Sequence, residues 1–209
     1  MNLKNSHQTM NKLEIKTNFD KYIKTFLEEN SKINLMSKND EKLIFEKHIY
    51  DSLSIKFLFD KLDMLPKTIL DIGTGGGFPS IPIVLEYPEI QVTGIDSIQK
   101  KINAISNIAK KLGIKNIEFI RDRVENIKDK KYDMITSRAV AQASLLIEYA
   151  YPLLKKDGYL VLYKSKSVDE EIEKAKPLIR KLHMKISDII EYSLPLKENY
   201  NRCLLVLQK

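Results

Sequence analysis

At 209 residues the chain is long enough for one well-buried domain with an appendage, and its single cysteine, Cys203, excludes a disulfide framework and a cysteine-based metal cluster. The formal charge of +7 favours an anionic partner, and the excess is uneven: residues 1–66 carry a net +1 and residues 67–209 a net +6. No apolar run reaches membrane-spanning length and the polar segment 1–12 lacks the apolar stretch of a signal peptide, so a cytoplasmic protein without a membrane partner is expected.

Two helices are predicted in residues 1–66, forming a cap. Phe19, Tyr22, Ile23, Phe26 and Leu27 recur at helical spacing, and a second stripe runs through Leu43, Ile44, His48, Leu53 and Phe57 before Pro66 closes it. Between them, Ile33 to Ser37 reads as a loop. His48-Ile49-Tyr50-Asp51-Ser52 sets His, Asp and Ser on one helical turn, and a histidine beside an apolar stripe reads first as structural.

The chain then turns on Thr68-Ile69-Leu70-Asp71-Ile72-Gly73-Thr74-Gly75-Gly76-Gly77-Phe78-Pro79: strand, glycine turn, helix start. Glycines leave no Cβ between backbone and ligand, and a following helix points free N–H groups at the turn. This is the pattern of a nucleotide-cofactor cradle. A dinucleotide fingerprint needs a third small residue where Phe78 stands, and Asp71 would repel a pyrophosphate, so a cofactor with a cationic end fits better. The Asp-x-Gly-x-Gly-x-Gly form resembles motif I of S-adenosylmethionine-dependent methyltransferases.

From Thr68 onward strands and helices alternate. Strands are predicted at Ile69–Ile72, Ile90–Ile95, Asn116–Ile120, Tyr132–Ser137, Tyr159–Tyr163, Ile186–Tyr192 and Cys203–Leu207. Helices are predicted from Pro79 and over Ile98–Leu112, Ala141–Leu154 and Val168–Leu182. Repeated βα units imply an α/β, doubly wound, Rossmann-like parallel sheet of about seven strands. The last two strands have no helix between them and must pair antiparallel, as in a class I methyltransferase.

Ligands of such sheets bind outside the carboxyl ends of the strands. Asp96, ending strand two, is placed to accept both ribose hydroxyls of an adenosine. Strand three ends at Arg121-Asp122-Arg123-Val124-Glu125, strand four at Arg138, strand five at Lys164, and the antiparallel last strand begins beside Arg202. Four of the five arginines and Lys164 thus fall near one rim, an anion-binding crescent. Lys164 has no neighbouring carboxylate in sequence. Exocyclic-amine methylases carry an Asn/Asp-Pro-Pro-aromatic run where this chain has Ser137-Arg138-Ala139-Val140, and carbon-5 pyrimidine methylases need a core-loop cysteine. An acceptor with a free lone pair remains, such as a purine ring nitrogen.

In combination, Asn34-Leu35, His48-Ile49-Tyr50-Asp51-Ser52-Leu53, the Asp71–Pro79 stretch, Asp96-Ser97-x-x-Lys100-Lys101, Arg123-Val124-Glu125, Ser137-Arg138-Ala139 and Tyr163-Lys164 resemble the ribosomal RNA small subunit methyltransferase G (glucose-inhibited division protein B) family. The resemblance runs from about Ile33 to Leu207. It implies methylation of N7 of a guanosine in small-subunit ribosomal RNA, free or in the 30S subunit, with S-adenosylmethionine and no metal. It implies that Gly73, Phe78, Asp96, Val124, Glu125 and Arg138 contact the cofactor, joined by Asp71 and Gly75 of the cradle. Arg123, Lys164 and Arg202 would face RNA or the target base, with Arg138 beside them. A monomer without a DNA partner is expected. Ser80 and Ser165 depart from the family's usual glycines. The alternatives are a small-molecule methyltransferase or a non-catalytic ribosome-binding protein on the same fold.

Overall fold

The computed structural model describes residues 14–165, 168–196 and 200–209, so the polar segment 1–12 lies outside the described residues. Helix α1 (Asp20–Asn30) buries Tyr22 and Phe26, with Phe19 packed just ahead of it, as the stripe predicts. It ends at Asn30, whose buried amide shapes the next loop. Asn30 Oδ1 accepts from the Leu35 and Met36 N–H groups at 2.7 and 2.9 Å, and Nδ2 donates to Glu41 Oε1 at 2.7 Å.

The second stripe does not form one helix. It divides into α2 (Lys38–Glu41), a π-turn over Phe45–Ile49, α3 (Tyr50–Leu53) and α4 (Lys56–Leu62). Ser52 Oγ donates to the His48 carbonyl at 2.6 Å and Ser54 Oγ to the Tyr50 carbonyl at 3.0 Å, side-chain bonds that compete with the helical ladder and bend it. The π-turn holds one extra residue per turn, a feature common beside functional sites.

The α/β part follows as β1 (Thr68–Ile72), α5 (Ser80–Glu86), β2 (Gln91–Asp96), α6 (Gln99–Leu112), β3 (Ile117–Arg121), β4 (Tyr132–Arg138), α7 (Ala143–Ala150), β5 (Leu154–Ser165), α8 (Asp169–Lys181), β6 (Lys185–Leu194) and β7 (Tyr200–Gln208). Helix α6 stops at Gly113, whose left-handed φ of 70° lets Ile114 N–H return to the Ala109 carbonyl at 3.0 Å. The seven strands form one sheet in the order β3-β2-β1-β4-β5-β7-β6. β7 runs antiparallel between β5 and β6, and the pairs β1–β2, β1–β4, β2–β3 and β4–β5 are parallel.

Alternate residues of each strand face opposite layers. Leu70, Ile72, Ile135 and Leu160 pack under α7 and α8, while Ile69, Val92, Met134 and Val161 pack against Leu58, Phe59 and Ile83 of α4 and α5. A third cluster joins Tyr22, Phe26, Ile49 and Leu53 of the cap to Phe78, Ile81, Ile102 and Ile105. Each fully buried side chain of this kind contributes about 1.5–3 kcal/mol. The cap is therefore packed into the sheet layer beside the β1–α5 turn.

Candidate active site

The glycine loop satisfies most of its own backbone. Gly73 and Thr74 N–H donate to the Ile95 carbonyl at 2.9 and 3.0 Å, Gly77 and Phe78 N–H to the Thr74 carbonyl at 2.8 and 3.1 Å, and Gly75 N–H to Asp96 Oδ2 at 3.0 Å. The expectation of free helix N–H groups aimed at the turn is corrected: α5 starts only at Ser80, Ile81 and Ile83 N–H donate to the Gly77 and Pro79 carbonyls at 2.8 and 3.1 Å, and Pro82 has no N–H. What the loop offers is space. A Cβ on Gly75 would meet only the Gly73 carbonyl oxygen, at 3.8 Å, and the residue holds a φ of +56°.

Asp71 does not reach this space, contrary to its expected role at the ligand. It lies buried beneath the loop, where Oδ1 accepts from Thr136 Oγ1 at 3.0 Å and Oδ2 accepts from Ser80 Oγ. Burial pushes its pKa up, and bonds from Ser80, Thr74 and Thr136 oppose the shift. Ser80 also bonds Thr74 of the loop, so its side chain ties strand end, loop and helix start together.

A cavity of about 380 Å³ opens between the loop, the cap and the ends of β4 and β7. Gly73, Gly75, Phe78, Arg138 and Arg202 line it, as do His48 and Asp51 of the cap. The Arg138 guanidinium lies 5.2 Å from the Phe78 ring centroid, with Nη1 3.1 Å from Asp51 Oδ2 and Nη2 2.9 Å from His48 Nδ1. Arginine can only donate, so Nδ1 is the acceptor and His48 is a neutral ring protonated at Nε2. Burial, reinforced by the Arg138 charge, pushes the His48 pKa down to about 4.

Asp51 holds a second arginine. Arg202 Nε and Nη2 donate to its two oxygens at 3.1 and 3.3 Å, and the Tyr192 hydroxyl donates to Oδ1 at 2.7 Å. Lys47, also in the cavity, is matched by Asp40 at 2.8 Å. Two guanidiniums share one carboxylate while His48 is neutral, which leaves one positive charge unmatched among these groups and favours an anion in the cavity.

The other predicted residues lie outside this cavity. Asp96 Oδ1 accepts from Ile98 N–H at 2.9 Å and Oδ2 from Gly75 N–H, which leaves a lone pair on each oxygen for a ribose. Val124 packs its side chain into the core, and its carbonyl accepts from Ile127 N–H at 3.1 Å. Glu125 is exposed and hydrogen-bonded to the Tyr149 hydroxyl, whose pKa it raises. Arg121, the last residue of β3, and Arg123 just after it are exposed, at the sheet edge opposite the β6–β7 hairpin. The expected crescent therefore narrows to Arg138 and Arg202.

Lys164 is also corrected. Its Nζ pairs with Glu171 Oε2 at 2.6 Å and donates to the Ala141 carbonyl at 3.0 Å, so α8 supplies the carboxylate that its sequence neighbours lack. It is a clip and not a free donor. Asp51 and Tyr192 were not legible as site residues; the His-x-x-Asp-Ser cluster was visible, but its arginine partners lie 87 and 151 residues away. No cluster of three metal-ligating side chains occurs among the described residues.

Residues 15–200 match the family model described as rRNA small subunit methyltransferase G. The ribosomal RNA small subunit methyltransferase G of Bacillus licheniformis is 39% identical over 196 residues, 91% of this chain and 81% of that protein. The protein of the same name from Staphylococcus haemolyticus is 37% identical over 198 residues, 93% and 81% of the two chains. An O-methyltransferase from Bacillus cereus, solved in complex with SAH, superposes with a TM-score of 0.63 at 16% identity over 91% of each chain. The [4+2]-cyclase SpnF superposes at 0.59 with 13% identity, covering 76% of this chain and 80% of its own. These two share the fold and differ in named activity, so the fold alone does not decide function. The sequence match does decide the family: the chain belongs to the ribosomal RNA small subunit methyltransferase G family.

Proposed function

We propose that this chain transfers the methyl group of S-adenosylmethionine to N7 of a guanosine in small-subunit ribosomal RNA, acting as a cytoplasmic monomer. The observation that carries this reading is the single cavity joining the glycine cradle to Arg138 and Arg202, with one positive charge unmatched. The bound cofactor supplies an electrophilic methyl group on a sulfonium. Gly73, Gly75 and Phe78 line its place, Asp96 and Glu125 are positioned for its adenosine end with the Val124 backbone, and Arg138 meets its carboxylate. Arg202 faces the target guanine or its phosphates. Arg123, exposed further along the rim, anchors a neighbouring phosphate.

The chemistry of the cavity also favours a ring nitrogen. His48 has its basic nitrogen engaged by Arg138, Asp51 is fully bonded, and Asp40 is ion-paired, so these groups leave no general base free. N7 carries a lone pair and no proton. Its methylation is an in-line displacement that needs positioning rather than proton removal. No described helix is long and apolar enough to cross a membrane.

The test is incorporation of labelled methyl from S-adenosylmethionine into 30S subunits, naked small-subunit RNA and free guanine nucleotides across a salt series. Label should enter small-subunit RNA, with apparent affinity falling steeply as salt rises, because phosphate contacts release counterions. Salt-independent labelling of free nucleotides would instead identify a small-molecule enzyme.

A further inference from the structure

Asp51 is the point where the two halves of the cavity meet. Asp51 is 2% exposed, and its carboxylate accepts from Tyr192 on β6, Arg138 on β4 and Arg202 on β7. Arg202 contributes two bonds, so four donors converge on a group with about four acceptor sites. A saturated carboxylate neither takes a proton from substrate nor ligates one. What it does is hold two like charges close together, which would repel each other without it.

We propose that Asp51 is a positioning residue that aims Arg138 at the cofactor and Arg202 at the RNA, and that it couples the occupancy of the two. This rests on the assignment of those arginines above. An anion that binds Arg138 adds to its Asp51 bond rather than displacing it, and by sharing the Arg138 charge it leaves the carboxylate to hold Arg202 more tightly. Cofactor binding therefore orders the RNA-facing arginine. His48 supports the arrangement from the other side, fixing the second Arg138 nitrogen at 2.9 Å.

The test is a pair of double-mutant cycles on the full chain. Asp51→Asn keeps the shape and one acceptor oxygen but removes the charge. S-adenosylhomocysteine affinity is measured by calorimetry, and small-subunit RNA affinity by filter binding, for wild type, D51N, R138Q, R202Q and the doubles. D51N should weaken S-adenosylhomocysteine at least tenfold in the wild-type background and less than twofold in R138Q. It should weaken RNA at least fivefold in the wild-type background and less than twofold in R202Q. Losses of equal size in every background would show a structural role only and overturn the proposal, as would unchanged affinities. If D51N fails to fold, wild type decides: saturating S-adenosylhomocysteine should tighten RNA binding at least threefold, and no effect overturns the coupling. Failure of wild type to bind either ligand would instead overturn the functional assignment beneath it.

Discussion

His48 sits between the Phe78 ring, 5.1 Å away by centroids, and the Arg138 guanidinium. With its pKa pushed down to about 4 from an ordinary 6.5, the folded protein refuses a proton that the unfolded chain accepts. Its contribution is therefore complete above about pH 6.5 and is lost as pH falls toward 4, a change on the order of 2–3 kcal/mol. Arg138 and Lys47 add to the depression, and Asp40 and Asp51 oppose it. Urea unfolding at pH 7 and pH 4.5 should show wild type losing more stability than His48→Asn over that interval, whereas equal losses would mean that His48 titrates normally. At Gly75 the constraint is space. Gly75→Val places a β-branched residue at a φ of +56° and fills the cradle, so S-adenosylhomocysteine affinity by calorimetry should fall more than tenfold, about 1.4 kcal/mol. Unchanged affinity would remove the cradle from the cofactor site.

Glu171, at the start of α8, pairs with Lys164 and also accepts from Ala143 N–H at 3.1 Å, the first residue of α7. The loop between β4 and α7 is thus clipped by Lys164 on its Ala141 carbonyl and by Glu171 at its end, and it places Val140 over Gly73. Lys164→Ala should therefore lower the unfolding free energy by about 1–2 kcal/mol and weaken S-adenosylhomocysteine severalfold through that loop. Unchanged stability with lost RNA methylation would restore Lys164 to the role of a free RNA donor. What was legible in sequence divides along the same line. The cradle, the βα alternation and the terminal hairpin are written in contiguous residues, and the structure keeps them. The broken second cap helix was not legible, because its apolar stripe ignores the back-bonding of Ser52 and Ser54. Nor were the internal uses of Asp71 and Lys164, since Thr136 and Glu171 approach through tertiary packing alone.

Across the whole molecule, the cap and the sheet share the cluster around Phe78, and the cavity exists only because the cap supplies one wall of it. The charge excess of residues 67–209 lies in the part that carries the sheet's ligand edge, as expected for a protein that meets a polyanion. On the proposed function, this edge methylates N7 of a guanosine in small-subunit ribosomal RNA. N7-methylguanosine is cationic and, once reduced with borohydride, its strand can be cleaved with aniline, so the modified position can be read by primer extension. Small-subunit RNA from cells lacking this protein should lack one such cleavage. The wild-type chain should restore it, and Arg202→Gln should restore it at least tenfold less efficiently at limiting enzyme. An identical cleavage pattern with and without the protein, or a methyl group found on another atom or another molecule, would contradict N7 methylation of this RNA by the chain.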